Sequence, residues 1–507
     1  MSRFDAIVIG AGINGLAAAA TLARAGKSVC VLEQAAAPGG MATLRLDDGP
    51  ELAPLLWNLS PVVLKAFNID PATLGLGAPL PAVALDPGGA HIVLRGGWAT
   101  SLSGETHADG PAFQRLHGQL VTYGALLRRL AEAPPPGGGT LLSQPGLAQL
   151  LRLSRLGLDL KRMGKPEMRR FLQVLLSNAY DLILDEMPDG PLAGLLAADA
   201  VRGNATGPRS PGSVFTLIYR MGHGGEVRRP EGGMPNLIRR LDEALQKTGC
   251  TIRTGTPVAR IILEDDRVTG VETKGGEIIE APRVLSSLGP KSVLGLTGAE
   301  AFDIEAARRI RHLRTRGTVA KVNLRLTAPR VPGLPDDLSA ARLVYAPSAD
   351  YVEAAFTPSK YGSLSEAPVI EATCVAAPDG RPWLSANVQY APADLDGGWD
   401  DAACDRLRQI TLDTLARALP DLPGAVEELQ VIPPTRIAAE TGAAGGHWHH
   451  AELALDQIFA LRPGNGMGRY AMGPRGLYLC GASTHPGGDV MGLAGRNAAA
   501  AVLEGWV

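Results

Sequence analysis

The chain has 507 residues, with 49 Lys+Arg against 51 Asp+Glu and a formal net charge of −2, which excludes a general nucleic-acid binder because such a protein needs a basic excess to displace counterions. At 45% hydrophobic and 20% charged residues, the composition is that of a globular chain long enough for two to four domain-sized units. Glycine is the outlier, 62 of 507 residues against an ordinary frequency of roughly 7%.

Residues 4–9 read as a short buried strand, and Gly10-Ala11-Gly12-Ile13-Asn14-Gly15 follows at once. Residues 16–25 are good helix formers closed by Gly26, residues 27–32 form a second strand, and Glu33 ends it. The apolar run 6–23 could pass for a signal peptide or membrane helix, but Gly10, Gly12, Asn14 and Gly15 interrupt it as a nucleotide-binding turn would. In that reading Gly10 permits the tight turn, Gly12 lets a pyrophosphate reach the backbone, and Gly15 lets helix and strand pack closely. The helix N-terminus faces the phosphates, with Ile13 and Asn14 in the turn beside them, and Glu33 accepts hydrogen bonds from a ribose. Up to this point FAD and NAD both remain open. Gly39 and Gly40, followed by Met41 and Ala42, let the backbone fold back beside ribose and phosphates, which favours FAD. The composite resembles the extended dinucleotide motif of the flavoprotein family that includes amine oxidases and carotenoid desaturases.

A breaker cluster at 134–139 reads as a surface loop. Residues 147–184 have a helical pattern, with Arg152, Arg155, Asp159 and Arg162 on one polar stripe and Leu150, Leu153, Leu160 and Met163 on another face. Such a basic amphipathic stretch suits either a solvated helix face or peripheral contact with an anionic membrane. A helix is expected at 237–247, and a three-stranded meander from Val258 through turns at Asp265-Asp266 and Gly275-Gly276. Residues 283–288 look like a strand returning to the nucleotide domain. Ala320, Val322, Leu324 and Leu326 alternate with Lys321, Asn323 and Arg325, and Leu384, Ala386, Val388 and Tyr390 repeat the pattern. An antiparallel sheet facing a core or a substrate on one side follows.

Residues 476–481 form a strand ending in Gly481, 482–492 a glycine-rich loop, and 493–503 an Ala-rich helix. That loop and helix N-terminus can hold the flavin's pyrimidine edge and stabilise negative charge developing there. The five cysteines, Cys30, Cys250, Cys374, Cys404 and Cys480, are dispersed without a CxxC pair, which fits buried thiols in a reducing, cytoplasmic compartment. His447, His449 and His450 cluster, but no Cys or further acid besides Glu452 stands at ligand spacing, and no metal is expected.

The stretch 477–499 resembles the C-terminal FAD motif of phytoene-desaturase-like oxidoreductases, and 207–223, 230–241 and 445–463 resemble the phytoene-dehydrogenase-related branch of that family. The resemblance spans the chain. It implies FAD contacts from Val258 and from Gly481, Ala482, His485, Gly488, Asp489, Val490, Met491 and Gly492, and makes His450 the candidate for acid/base work. Relatives often carry Asn at position 447 and a smaller residue at position 489, so Asp489 places an unexpected carboxylate beside the flavin. The expected fold is α/β: a Rossmann-like FAD-binding domain from 1–75, 226–300 and 465–507, with an inserted mixed α+β substrate domain from 76–225 and 301–464, helical at 110–225. The expected activity is FAD-dependent desaturation or dehydrogenation of a hydrophobic small molecule. Amine oxidation, redox-neutral isomerisation and a flavin-binding interaction protein are the alternatives.

Overall fold

The computed structural model describes residues 2–136, 154–155, 157–222, 224–377, 379–489 and 491–506. At its centre lies a five-stranded sheet in the order Leu477–Leu479, Val284–Ser286, Ala6–Ile9, Val29–Leu32 and Thr251–Arg253, with every neighbouring pair parallel. Ala6–Ile9 and Val29–Leu32 are buried at every position, which is why they read as continuous apolar runs rather than alternating ones. The strands come from distant parts of the chain, so the α/β nucleotide domain is assembled from discontinuous segments. The helices Ile13–Arg24 and Leu493–Glu504 meet through their backbones: a Cβ on Gly495 would stand 1.8 Å from the Asn14 carbonyl oxygen.

The predicted meander is present as Val258–Glu264, Arg267–Thr273 and Ile278–Glu280, and Ser2–Arg3 adds a parallel edge strand. A larger mixed sheet of eight strands runs in the order Val426–Ile432, Val319–Leu326, Trp383–Gln389, Ile370–Val375, Arg342–Tyr345, Ala82–Leu85, Ile92–Arg95 and Trp98–Ser101. Ala320, Val322, Leu324, Leu326, Leu384, Ala386 and Val388 fill a hydrophobic core on one of its faces. The opposite face is polar and nonetheless buried, with Lys321, Asn323, Glu371 and Ser385 all 9% exposed or less. Tyr390 departs from the alternation: with φ of 70° it leaves the sheet and packs on Phe356.

The helical part comprises Gly110–Ala131, Lys165–Leu176, Ala179–Glu186, Pro191–Val201 and Ser213–Met221. The expected helix at 147–184 is not continuous. Gly164, at φ 81°, precedes Pro166 in the first turn of Lys165–Leu176, and Asn178 caps Ala179–Glu186 by accepting the Asp181 N–H. Each is a start or stop signal that outweighs the amphipathic period. Residues 147–153 and 156, with Leu150, Arg152 and Leu153, lie outside the described residues. Leu160 and Met163 pack against the main core, and Asp159 pairs with Arg129 and Arg162. Among the described residues no helix is long and apolar enough to cross a membrane.

Candidate active site

A cavity of about 670 Å³ runs from the C-terminal ends of the parallel strands to the polar face of the eight-stranded sheet. Open α/β sheets bind ligands at this end of their strands. Gly10, Gly12, Ile13, Asn14, Glu33, Gly39, Gly40, Met41, Ala42 and Val258 line it from the nucleotide side, and Ala482, Gly488, Asp489 and Met491 from the C-terminal loop. His450 lines it too.

The two glycine turns stand back to back: Gly39 N–H donates to the Ala11 carbonyl, and a Cβ on Gly40 would lie 3.2 Å from the Gly12 Cα. Gly12 caps the helix Ile13–Arg24 without any side-chain hydrogen bond, so the first amides of that helix are left for an external acceptor. Glu33 is fixed beside them, its two oxygens accepting the Ala11 N–H at 2.7 Å and the Ala35 N–H at 2.9 Å. A carboxylate has about four lone-pair sites, so ribose hydroxyls can still be accepted. Bare helix amides for a pyrophosphate, an acid for a ribose and an open glycine surface between them fit FAD.

Four predicted contacts lie off the cavity wall. Gly15 acts inside the fold, where its Cβ would stand 1.9 Å from the Gly10 carbonyl oxygen. Gly481 packs as closely on Ser287, and Gly492 caps the final helix against Val63. His485 turns its ring away, with Nε2 at 3.0 Å from the Leu130 carbonyl oxygen, and burial pushes its pKa down to about 4. Val490 lies outside the described residues.

The sheet side of the cavity is built from residues that no local motif marks. Lys321 Nζ donates to Asn387 Oδ1 at 3.1 Å, and Asn387 Nδ2 donates to Glu371 Oε1 at 3.1 Å. Glu371 also accepts from Arg202 Nη2 at 2.8 Å and Arg342 Nε at 2.9 Å. Burial opposes the Glu371 charge, yet Arg202 and Arg342 hold it well below the usual carboxylate range. Burial brings Lys321 down to about 7, so near neutral pH its amine exists in both protonation states. Asp489 sits at φ 56°, a conformation that Asp tolerates better than most side chains. Its Oδ1 accepts from Arg202 Nη1 at 3.3 Å, and its backbone carbonyl accepts from Asn58 at 3.0 Å. The unexpected carboxylate is therefore paired.

The histidines divide. His447 and His449 are buried away from the cavity wall, and burial holds both far below the ordinary histidine range. His450 faces the cavity at a pKa lowered by burial to about 4. Behind them Arg462, 0% exposed, donates to the carbonyls of His449, Ala451, Glu452, Gln457 and Ala482, tying the 449–457 segment to the C-terminal loop.

The model of the flavin containing amine oxidoreductase family matches residues 161–503, and that of an NAD(P)-binding Rossmann-like domain matches residues 8–65. The chain belongs to the flavin containing amine oxidoreductase family. It is an FAD-dependent oxidoreductase. Within this family it is similar to pyridine nucleotide-disulfide oxidoreductase domain-containing protein 2 of Rattus norvegicus, 30% identical across 99% of this chain and 94% of the relative. It is 28% identical to a hydroxyneurosporene desaturase of Cereibacter sphaeroides, across 98% and 97% of the two chains. Among solved structures, a putrescine oxidase bound to putrescine shares the fold at a TM-score of 0.57 and 17% identity, covering 99% of both chains.

Proposed function

We propose that this oxidoreductase dehydrogenates a carbon centre of a largely hydrophobic organic substrate, with Lys321 rather than His450 receiving the proton. FAD, when bound, supplies the two-electron acceptor. The observation that carries the reading is the placement of Lys321, a buried amine on the cavity wall held by Asn387, whose burial lowers its pKa toward neutrality. A general base works best when its pKa lies near the working pH, and His450 at about 4 is too weak a base for that task. Asn387 fixes the position of Nζ, and the hydrogen-bonded row through Glu371 and Arg202 keeps the polar sheet face rigid. The likeness to a hydroxyneurosporene desaturase supports carbon dehydrogenation over a C–N reaction.

The test is anaerobic flavin reduction by a panel of polyenes, long-chain alcohols and amines, in the native holoprotein and in Lys321→Met. With any compound that bleaches the native flavin, Lys321→Met should slow bleaching by about 10²-fold or more. The native rate should rise with pH through about 7, and the variant should lose that rise. Bleaching at the native rate in Lys321→Met ends the assignment, and unaltered turnover in His450→Ala confirms that His450 is not the base.

A further inference from the structure

Two indoles wall the cavity, Trp57 from the strand Leu56–Trp57 and Trp448 from the segment after Ala444–Gly446. A pair of aromatic faces one cation apart is the usual seat for an organic ammonium ion. Here the seat is taken by the protein. The Arg202 guanidinium carbon lies 4.3 Å from the centre of the Trp57 ring and 4.8 Å from that of Trp448. The local backbone is built for this arrangement: Gly203 follows Arg202, and a Cβ there would stand 2.4 Å from Trp448 Cζ2.

The carboxylates that an incoming cation would need are committed as well. Glu371 is ringed by Arg202, Arg342 and Asn387, and Asp199 pairs with Arg220 and Arg342. Asp489 holds Arg202 through Oδ1, while its Oδ2 lies 3.7 Å from His449 Nε2 and 4.0 Å from Arg220 Nε. Arg220 and Arg342 also lie over the Trp57 ring, at 4.2 and 5.1 Å. The three acids Asp199, Glu371 and Asp489 are matched by the three guanidiniums of Arg202, Arg220 and Arg342. A substrate ammonium would arrive as a further cation among carboxylates that already face arginines, and a buried charge without a counter-ion of its own is strongly disfavoured.

We infer that Arg202 is a specificity-determining residue, a resident cation that fills the tryptophan seat, bars organic ammonium ions and restricts the site to substrates neutral or anionic at the end meeting the sheet. The inference rests on the proposed reading of this cavity as the substrate side of a flavoenzyme and narrows its substrate class.

Benzylammonium and benzyl alcohol form a matched pair of probes, and perturbation of the oxidised flavin bands reports their binding without turnover. The native holoprotein should bind benzylammonium at least about tenfold more weakly than benzyl alcohol. Arg202→Ala removes the cation shared by the two indoles and leaves Glu371 and Asp489 short of a cation, so it should reverse the order by a similar factor. Arg202→Gln, which keeps a hydrogen-bond donor near Glu371, removes the charge with less disturbance and should shift the preference in the same direction. Equal or tighter binding of benzylammonium by the native protein overturns the inference, and that arm needs no variant. So does retention of the native preference by either variant when loaded with FAD. Because no chemistry is read, a failure to find any dehydrogenated substrate would count against the proposed reaction and leave this result standing.

Discussion

Gly12→Ala and Gly15→Ala add the same methyl group three residues apart, and the structure assigns them opposite consequences. At Gly15 the new carbon would lie 1.9 Å from the Gly10 carbonyl oxygen and 3.1 Å from its carbon. Backbone cannot rotate aside, so the helix Ile13–Arg24 must part from the strand before it, an overpacking that costs about 1–3 kcal/mol. The better helix propensity of Ala returns less than about 1 kcal/mol. At Gly12 the nearest protein atom would be the Gly40 Cα at 4.0 Å, and φ is −66°. Alanine fits there without strain, and the apoprotein should stay within about 0.5 kcal/mol of the native one. Its methyl group, however, faces the cavity where the pyrophosphate must approach. FAD affinity should then fall at least about tenfold, or ~1.4 kcal/mol. Denaturant unfolding of the FAD-free proteins separates the two effects, because bound cofactor would otherwise add its own stabilisation. Titration with FAD, followed by quenching of its fluorescence, gives the affinities. Equal loss of apoprotein stability in both variants, or native FAD affinity in Gly12→Ala, would refute this account of the turn.

Lys321 ties stability to pH. Its folded pKa of about 7 lies below the value of 10.5 for a free lysine, so between those values the unfolded chain holds a proton that the folded one lacks. Stability from this group therefore rises with pH across that window, by about 2 kcal/mol from pH 7 to 9 on the usual conversion; denaturation midpoints of apoprotein should show this rise, and Lys321→Met should abolish it. Asp489→Asn keeps a residue tolerant of the left-handed backbone and removes a negative charge at the cavity wall. The flavin's reduction potential should move upward by roughly 30 mV or more, and spectroelectrochemical titration giving no shift or a downward one would contradict the placement. Arg462→Met removes the donor to five buried carbonyls, of which only that of Glu452 keeps another, from Gln457, and should destabilise the holoprotein by about 3 kcal/mol or more, read as a lower unfolding midpoint with earlier FAD release. An unchanged midpoint would show that the arginine does not hold the two segments together.

The cofactor half of the site was legible because its demands are local and steric. A Cβ on Gly15 would run into the Gly10 carbonyl, and Gly40 combines a φ of 55° with close approach to Gly12, so the requirement is written at those two positions. The motif did not reveal which way its members face: Gly481, His485 and Gly492 belong to the same loop-to-helix stretch as Gly488 and Asp489 yet pack inward. On the substrate side the legible feature was the alternation of Lys321 and Asn323 with apolar neighbours. Alternation fixes two faces without saying what covers the polar one. That is settled by sheet order, which brings Val319–Leu326, Trp383–Gln389 and Ile370–Val375 side by side from segments far apart in sequence. Arg202, at the C-terminal end of Pro191–Val201, carries no sign of its role until Trp57, Trp448, Glu371 and Asp489 are assembled around it. The broken helix at 147–184 was a failure of weighting, since Gly164, Pro166 and Asn178 were visible breakers and caps.

The contact between Asn14 and Gly495 joins residues 481 positions apart. On a ribosome adding about 5–20 residues per second, the partner of the first helix emerges roughly 25–95 s later. During that interval the face of Ile13–Arg24 that packs on Leu493–Glu504 lacks its partner, and the glycine turn beside it opens onto an unfinished crevice. The crevice that would take the cofactor is consequently complete only when the last helix has been made.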